Sequence, residues 1–178
     1  MKTLYAGRIL TLNLEEHSLP DGRKGTYEIV RHPGGAAVLP ILADGRVLLI
    51  RQFRPAAGGW VVELPAGRLE EGEEPAATAG RELEEETGYR AGGLEPLGSV
   101  LSSVGFCDER IHLFVARDLT AGECRREPDE AIELFALPLQ EALAQIAAGA
   151  IDDAKTQLAL LRYAGLSAAQ SAGVTPFL

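Results

Sequence analysis

Residues 67–89 read GRLEEGEEPAATAGRELEEETGY, which joins a glycine-containing loop to an acid-rich helical pattern. Pro75 suits the first turn of a helix, because the N–H group that proline lacks would have no partner there in any case. Gly88 suits the position just past a helix C-terminus, where a left-handed backbone conformation is common. The stretch therefore predicts a helix over Pro75–Thr87.

Three carboxylates of this helix are predicted to share one face. At about 100° per residue, Glu82, Glu85 and Glu86 fall within about a 100° arc beside the apolar arc that holds Leu83. Like charges on one helix face repel each other, so this cluster requires a positive partner. Arg81 partly offsets Glu85 at the i, i+4 spacing, and a hard divalent cation with oxygen ligands suits the cluster as a whole. The alternative is an ordinary solvated acidic face.

The charge of the chain limits its partners. Its 178 residues contain 26 acidic and 17 basic residues, for a formal net charge of −9. Nine of the acids and two of the bases lie within residues 63–86, so most of the net negative charge is local. This charge opposes binding to nucleic acid and to anionic membrane surfaces, and we expect neither as a partner.

The cysteines, the N-terminal residues and the apolar runs indicate where in the cell the protein is expected. Cys107 and Cys124 form no disulfide or metal-binding motif, so we expect free thiols and a cytoplasmic location. The N-terminal residues do not resemble a signal peptide, because charged residues interrupt the apolar pattern early. The longest apolar run, 36–43, contains a proline and is too short to span a membrane.

Hydrophobic periodicity and turn residues divide the rest of the chain into strands and helices. Strands are predicted within residues 3–31, and the run HPGG at 32–35 marks a boundary after them. Residues 36–42 and 46–52, joined at Asp44-Gly45, are expected to form a β-hairpin. Further strands are predicted at 60–64, 94–103, 110–116 and 131–136, and helices at 138–148 and 152–166. This order indicates a layered α/β or α+β domain.

The spacing of the acid-rich stretch matches a known signature. Gly67 is followed by five residues and Glu73, then by seven residues and the run RELEEETGY at 81–89. This is the spacing GX5EX7REUXEEXGU of the Nudix box, where U is usually aliphatic. Every fixed position matches, and the last U departs because it is Tyr89. The chain therefore resembles the Nudix hydrolases, with a likeness that extends over residues 5–165.

The resemblance implies a fold and an assembly. It implies an α/β (α+β) structure over residues 35–178, namely the Nudix-type α/β/α sandwich with a mixed sheet. Residues 1–34 would form a small N-terminal antiparallel β segment. Related enzymes use such a segment in intertwined homodimers, where strands of one chain help to complete the site of the other. Two or three strands alone are marginally stable, which agrees with a dimerisation role.

The resemblance also implies a reaction. Nudix enzymes cleave a nucleoside diphosphate linked to another group, through attack of water on phosphorus. Metal ions neutralise the diphosphate, orient it and lower the pKa of bound water. By resemblance, the ligands of Mg²⁺, or of Mn²⁺ in its place, would be the Ala66 carbonyl and Glu82, Glu85, Glu86 and Glu130. The catalytic residues would be Glu85, Glu86, Glu130 and Arg81, and Arg81 and Glu73 would orient the carboxylates.

Glu130 belongs to the segment EPDEAIE at 127–133, which resembles the mobile acidic loop of the family. In that loop a carboxylate aids the attacking water or binds an extra metal ion. The alternative is that Glu130 is an ordinary acidic turn residue before a strand.

Outside the box, the chain most resembles the ADP-ribose pyrophosphatase branch. The matching runs are AAVLP at 36–40, RQFRP at 51–55, WVVELPAG at 60–67 and GFCDE at 105–109. The resemblance assigns substrate contacts to Arg54, Arg51, Tyr27, Glu63, Phe106 and Glu109. Arg51 and Arg54 are expected to clamp the diphosphate, because paired guanidinium groups suit a rigid anion. Alternatively, Arg51 is a solvated surface residue.

Two positions depart from the pattern of that branch. Its marker proline falls on Val104, and Tyr27 stands where an arginine on the adenosine side is common. Tyr27 either stacks on a base or is an ordinary strand aromatic. Both departures leave the hydrolase chemistry intact and weaken the case for ADP-ribose itself.

The expected function is therefore hydrolysis of ADP-ribose to AMP and ribose 5-phosphate. The same chemistry on a nucleoside diphosphate sugar, FAD or a dinucleotide is an alternative. An alternative of another class is a non-catalytic, nucleotide-sensing Nudix-like domain. Such domains usually lose glutamates of the box, and this chain has lost none.

Overall fold

The computed structural model describes residues 1–126 and 130–171. The strands are β1 (Lys2–Ala6), β2 (Thr11–Ser18), β3 (Lys24–Arg31), β4 (Gly35–Pro40), β5 (Val47–Arg54), β6 (Gly59–Glu63), β7 (Ala66–Arg68), β8 (Tyr89–Arg90), β9 (Gly93–Leu101), β10 (Arg110–Arg117), β11 (Thr120–Ala121) and β12 (Ile132–Leu137). The helices are α1 (Pro75–Thr87), α2 (Leu139–Ala147) and α3 (Ala154–Ser171), with a 3-10 turn at Pro55–Ala57. In this described part, no helix is long and apolar enough to cross a membrane.

The central sheet has the order β7-β4-β10-β9. Its β4 and β10 run parallel, whereas β4–β7 and β10–β9 are antiparallel, so the sheet is mixed. A second antiparallel sheet has the order β12-β5-β6, and β8 pairs with β11. The mixed sheet and the helices around it confirm the predicted fold class.

Strand β4 is buried on both faces, and this positions the three layers. Along β4, Ala37 and Leu39 pack in one apolar cluster, which joins β5, β9 and β10 to α2 and α3. Ala36 and Val38 point the other way, into a second cluster with Ala79 and Leu83 of α1. Alternate residues of a strand face opposite sides, so one strand supports α1 on one face and α2 and α3 on the other.

The predicted hairpin of residues 36–42 and 46–52 is wrong. Strands β4 and β5 lie in different sheets, although the turn between them forms as expected. The Leu42 N–H donates to the Arg46 carbonyl at 2.9 Å, and Ile41 bridges to Val47. Beyond that bridge the strands separate: β4 pairs with β7 and β10, whereas β5 pairs with β6 and β12.

The helix prediction around the acid-rich stretch is confirmed. Helix α1 spans Pro75–Thr87, with Pro75 in its first turn. Gly88 ends it in a left-handed conformation at φ 74°, and the Gly88 N–H donates to the Glu84 carbonyl at 2.8 Å. The helix therefore starts and stops on local signals in the sequence.

The N-terminal strands form a separate antiparallel sheet, β1-β2-β3. An ion-pair network attaches it to the loop before β10. Arg31 donates from Nε and Nη2 to the two oxygens of Glu15 at 3.0 and 2.6 Å, and from Nη1 to Asp108 Oδ2 at 3.0 Å. The backbone continues this link, because the Val30 N–H donates to the Phe106 carbonyl at 2.7 Å. Residues 1–34 are thus tied to the rest of the chain through β3.

The Glu15 carboxylate predicts an acid-sensitive part of the stability. Its hydrogen bonds from Arg31 hold the pKa of Glu15 at about 2, below its ordinary value of 4.5. The resulting stabilisation is present above about pH 4.5 and is lost as the pH falls toward 2. We expect Glu15→Gln to have a lower urea midpoint of unfolding than the unsubstituted protein at pH 6. At pH 3 the difference between the two urea midpoints should be smaller.

Glu16→Gln is the matched control, because Glu16 is exposed on the same strand and forms a surface ion pair with Lys24. Exposed pairs contribute about 0–1 kcal/mol, so its urea midpoint should stay close to that of the unsubstituted protein. If the urea midpoints of Glu15→Gln and the unsubstituted protein differ by the same amount at pH 6 and pH 3, the prediction is contradicted.

Candidate active site

Glu86 is a carboxylate buried at the last turn of α1. Glu86 is 2 % exposed, and its Oε2 accepts a hydrogen bond from the Ala66 N–H at 3.0 Å. Burial raises the pKa of Glu86 well above its ordinary value, and the negative charges of Glu82 and Glu130 add to the rise. Burial also raises the pKa of Glu82. The site therefore concentrates more negative charge than its own neighbours neutralise.

Arg81 connects the acidic face of α1 to the loop before the helix. Its Nη1 donates to Glu82 Oε1 at 2.6 Å and to Glu85 Oε2 at 3.2 Å. Its Nε and Nη2 donate to the two oxygens of Glu73, each at 3.1 Å. These bonds lower the pKa of Glu73 to about 2, so Glu73 stays ionised and anchors Arg81. Arg81 and Glu73 thus hold positions from which they can orient Glu82 and Glu85.

Gly67 leaves the space in which the Glu82 side chain lies. A Cβ atom at residue 67 would overlap the Glu82 carboxylate. The strand β7 that contains Ala66 and Gly67 is pinned to β4, with Gly67 opposite Ala36 and Ala66 opposite Ala37. The backbone of residues 66–67 therefore approaches the carboxylates of α1 closely.

A divalent metal ion fits this donor set. Glu82 and Glu85 line the cavity and Glu86 lies beside it, and carboxylate oxygens are ligands that Mg²⁺ and Ca²⁺ prefer, so the excess negative charge favours a cation. Within residues 1–126 and 130–171, no three acidic, histidine or cysteine side chains are already gathered as a metal-ligand group. Arg81 holds one oxygen of Glu82 and one of Glu85, so the second oxygen of each carboxylate remains as a candidate metal ligand.

Two cavities meet at Arg54. One, of about 290 Å³, is bounded by the acidic residues Glu82, Glu85 and Glu130. The other, of about 410 Å³, reaches toward His32, Glu109 and Lys155. Their shared wall consists of Arg54, Ala66, Gly67 and Arg68. An elongated ligand with a central anionic group could therefore span both cavities past Arg54.

The Arg54 guanidinium is held by a buried carboxylate. Glu63 is 3 % exposed, and its two oxygens accept from Arg54 Nε at 2.8 Å and Nη2 at 2.9 Å. Lys155 Nζ lies 2.5 Å from Glu63 Oε2 and 3.0 Å from Asp153 Oδ1. Burial raises the pKa of Glu63, but Arg54 and Lys155 more than offset this, and the pKa lies below its ordinary value. Glu63 is therefore an ionised support for Arg54.

Comparison with known proteins identifies this arrangement. The NUDIX domain model matches residues 31–158. The chain belongs to the NUDIX family. The predicted hydrolase class is confirmed, and enzymes of this family generally need divalent metal ions.

The relatives of this NUDIX hydrolase support the same class. The chain is 42% identical to an ADP-ribose pyrophosphatase of Bacillus subtilis, over 88% of this chain and 86% of that protein. It is 43% identical to a methanol dehydrogenase activator of Bacillus methanolicus, over 88% and 86% of the two chains. The crystal structure of an ADP compounds hydrolase superposes with a TM-score of 0.81 at 20% identity, covering 98% of this chain and 94% of that one. That structural likeness concerns the fold.

The structure brings most of the predicted box residues of the NUDIX enzyme together. Glu82, Glu85 and Glu130 line one cavity with Arg81 and Arg54. Glu86 lies beside it, through its hydrogen bond with the Ala66 N–H. Glu109 lines the other cavity, with its Oε1 at 3.5 Å from His32 Nδ1. Residues 127–129 of the predicted acidic loop lie outside the described residues.

Arg51 is not brought to Arg54. Strand residues three apart point to opposite faces, so the expected clamp of both arginines does not form within this chain. Arg51 lies over the Trp60 ring at 5.1 Å from its centroid, and its Nη1 is 3.3 Å from Glu133 Oε2. Its predicted role in substrate binding stays a prediction.

Two further predicted contacts lie away from both cavities. Tyr27, on β3, has its ring at 6.0 Å from that of His17 in an edge-to-face arrangement. Phe106, in the loop before β10, is 55 % exposed. Their roles as substrate contacts also stay predictions.

Sequence reasoning missed several residues that support the site. Lys155 contacts Glu63 across 92 positions of the chain, so no local spacing could have indicated it. Arg126 donates from Nε to the Glu86 carbonyl at 3.0 Å and from Nη1 to the Ile132 carbonyl at 2.8 Å. It therefore joins the end of α1 to the start of β12. Arg126 stands directly before the acidic loop, which was the one available signal.

Gly67→Ala tests the close approach at residue 67. The flexible Glu82 side chain can move away from the added methyl group, so the fold should survive while the predicted metal ligand is displaced. We expect Mn²⁺ affinity, measured by electron paramagnetic resonance titration, to fall about tenfold or more. Gly59→Ala is the matched control, because a Cβ atom there meets nothing within 4 Å. Unchanged Mn²⁺ affinity in Gly67→Ala would contradict this assignment of Glu82.

Proposed function

We propose that this NUDIX hydrolase cleaves the diphosphate of ADP-ribose, with Mg²⁺ as its metal ion, and releases AMP and ribose 5-phosphate. The observation that carries the proposal is the cluster of Glu82, Glu85 and Glu86 beside a cavity walled by Arg54. The 42% identity to an ADP-ribose pyrophosphatase, over most of both chains, supports this substrate class.

The residues divide the work of the reaction by their chemistry. Glu82, Glu85, Glu86 and Glu130, with the Ala66 carbonyl, would hold the metal ions. When bound, these ions supply positive charge to the diphosphate and lower the pKa of water. Arg81 and Glu73 keep the carboxylates oriented. Arg54 donates to the diphosphate, and Glu130 accepts a proton from the attacking water or holds a further metal ion.

The size of the two cavities agrees with a substrate that has groups on both sides of a diphosphate. Arg54 stands where they meet, so the anionic centre of the substrate would lie at Arg54 and its two ends would point into the two cavities. Water attack beside the carboxylates then separates the two halves. This arrangement uses charge neutralisation and positioning, which are the principal sources of catalysis in phosphoryl transfer.

A substrate panel tests the proposal. The purified chain is assayed with Mg²⁺ on ADP-ribose, GDP-mannose, UDP-glucose, FAD and a dinucleoside diphosphate, and products are separated by chromatography. We expect the highest kcat/KM on ADP-ribose, equal amounts of AMP and ribose 5-phosphate, and loss of activity with a chelator. A higher kcat/KM on another member would reassign the substrate. No product from any member, with Mg²⁺ or Mn²⁺, would favour a non-catalytic nucleotide-sensing domain.

Glu86→Gln tests the role of the buried carboxylate. The change removes the charge of a predicted metal ligand and preserves the side-chain volume. Metal-based charge stabilisation is worth several kcal/mol, so we expect kcat to fall on the order of 1,000-fold. The thermal midpoint should not fall, because the substitution removes a buried charge whose ionisation is unfavourable.

Glu84→Gln is the matched control on the same helix. Glu84 pairs with Arg90 at 2.6 Å, away from the acidic cavity. Its kcat should stay within about threefold of the unsubstituted enzyme, as expected for a substitution outside the reacting groups. A Glu86→Gln enzyme with a near-normal rate would rule out Glu86 as an essential ligand.

We also propose that residues 1–34 mediate a homodimer in the cytoplasm. The N-terminal sheet exposes apolar side chains of Leu4, Tyr5 and Ile9. The rings of Phe53 and Trp60 are also exposed, in an edge-to-face contact with each other, and Arg51 lies over Trp60. Such apolar exposure suits an interface with a second copy, which could bring Arg51, Tyr27 and Phe106 to a site of the partner. Cys107 and Cys124 are free thiols, which agrees with the proposed reducing compartment.

Sedimentation equilibrium of the full chain checks this assembly. We expect twice the mass of one chain at micromolar concentration, because isologous dimers are the commonest closed assemblies. A monomer at concentrations well above those of the activity assay would overturn the dimer and leave Arg51 without a site.

A further inference from the structure

We propose that Lys155 is a positioning residue of the site: it fixes Glu63, and Glu63 holds the Arg54 guanidinium in the orientation that binds the anionic centre of the substrate. This inference rests on the proposed function, because it concerns the arginine at the diphosphate. Lys155 stands near the start of α3, far along the chain from the NUDIX box.

The first step of the inference is the fixed orientation of Arg54. Glu63 accepts from Nε and Nη2 of the guanidinium at 2.8 and 2.9 Å, which is a planar two-point contact. Such a contact sets the plane of the group and directs the remaining Nη1 away from Glu63. Arg54 is about two-fifths exposed in its side chain and borders both cavities. A rotation of this plane would therefore move the donor that faces the substrate.

The second step is the dependence of Glu63 on two cations. Its carboxylate is almost completely buried, and a buried charge is strongly unfavourable unless paired. Arg54 alone would share its charge between Glu63 and a diphosphate. Lys155 Nζ, at 2.5 Å from Glu63 Oε2, supplies a second positive charge, so Arg54 remains free to balance an added anion.

The third step is that Lys155 is itself held in place. Its Nζ lies 3.0 Å from Asp153 Oδ1, and its side chain is 13 % exposed. Asp153 Oδ2 accepts hydrogen bonds from the Thr156 N–H at 3.0 Å and the Thr156 hydroxyl at 2.6 Å. Thr156 Oγ1 accepts a hydrogen bond at 2.8 Å from the N–H of Leu64, the residue that follows Glu63. The start of α3 is therefore fixed to the same backbone that contains Glu63.

Removal of the Lys155 charge has a defined consequence. Glu63 would then have Arg54 as its remaining counter-charge, because the loss of Lys155 removes a cause that lowers the Glu63 pKa. Glu63 and Asp153 would then offset more of the positive charge of Arg54, and Arg54 would bind a diphosphate less well. The effect should appear mainly in substrate binding, since Lys155 does not touch the acidic residues of α1 in the described structure.

The experiment compares Lys155→Met with Lys155→Arg on the full-length enzyme and ADP-ribose with Mg²⁺. We expect Lys155→Met to raise KM about tenfold with kcat changed less than about threefold, as is typical for loss of a supporting contact. Lys155→Arg keeps the charge and should return KM to within about threefold of the unsubstituted enzyme. Lys24→Met is the matched control, since Lys24 forms an exposed pair with Glu16 at 2.9 Å, and its KM should not change.

A double-substitution cycle separates positioning from direct contact, because Lys155 also lines the larger cavity. If Lys155 acts through Arg54, Lys155→Met should change kcat/KM less than about twofold in an Arg54→Ala background. If Lys155 binds the substrate itself, its full effect should persist in that background, and the proposal is overturned. Near-ultraviolet circular dichroism and thermal midpoints verify that the variants are folded.

Two failures are distinguishable in this design. An unsubstituted enzyme that hydrolyses no nucleoside diphosphate substrate contradicts the proposed function. An active unsubstituted enzyme, with a folded Lys155→Met variant whose KM lies within about twofold of it, contradicts the positioning role alone. Should Lys155→Met fail to fold, Lys155→Gln is measured under the same criteria, because the neutral amide can still donate a hydrogen bond to Glu63.

Discussion

The burial of Glu86 beside Glu82 is the constraint on which the site depends. Removing carboxylates from water costs several kcal/mol each unless hydrogen bonds and opposite charges offset it. The Ala66 N–H offers one hydrogen bond to Glu86, and Arg81 pairs with Glu82. Burial raises the pKa of both carboxylates despite these contacts, and the negative charge of neighbouring carboxylates adds to the rise. A divalent cation bound at the proposed site would offset the negative charge of these carboxylates, and their burial would then favour the metal-bound enzyme.

At Glu63, the balance of charges is the opposite, because positive groups outnumber the carboxylate that they contact. There a single buried carboxylate meets two cations, Arg54 and Lys155, and its pKa falls. The two centres are separated by the backbone of residues 64–66, which leads from β6 into β7. One end of this short segment contacts Glu86, a proposed metal ligand, and the other contains Glu63, which supports the arginine proposed to bind the substrate. A diphosphate between them would meet positive charge from both sides.

The sheet arrangement explains why this geometry is stable. Strand β4 buries both faces, so α1 and the second sheet pack on opposite sides of one rigid strand. Its pairing with β7 presents Ala66 and Gly67 to the helix. The expected hairpin does not form, because β5 pairs with β6 and β12 in the second sheet. Alternation along β5 likewise separates Arg51 from Arg54, although the pair stands three residues apart in the sequence.

The sequence by itself determined the bounds of α1 and the shared face of Glu82, Glu85 and Glu86, and it led to the expectation of a cation. These follow from local rules: helical periodicity, end signals and like-charge repulsion act between residues a few positions apart. The family followed from the resemblance of residues 67–89 to the Nudix box. The tertiary structure alone decided that the Ala66 N–H meets Glu86, that Lys155 meets Glu63 across 92 positions, and that β5 continues to Arg54, beyond the predicted strand end at residue 52. Such contacts depend on how sheets and helices pack, because burial and pairing between distant residues are properties of the assembled layers.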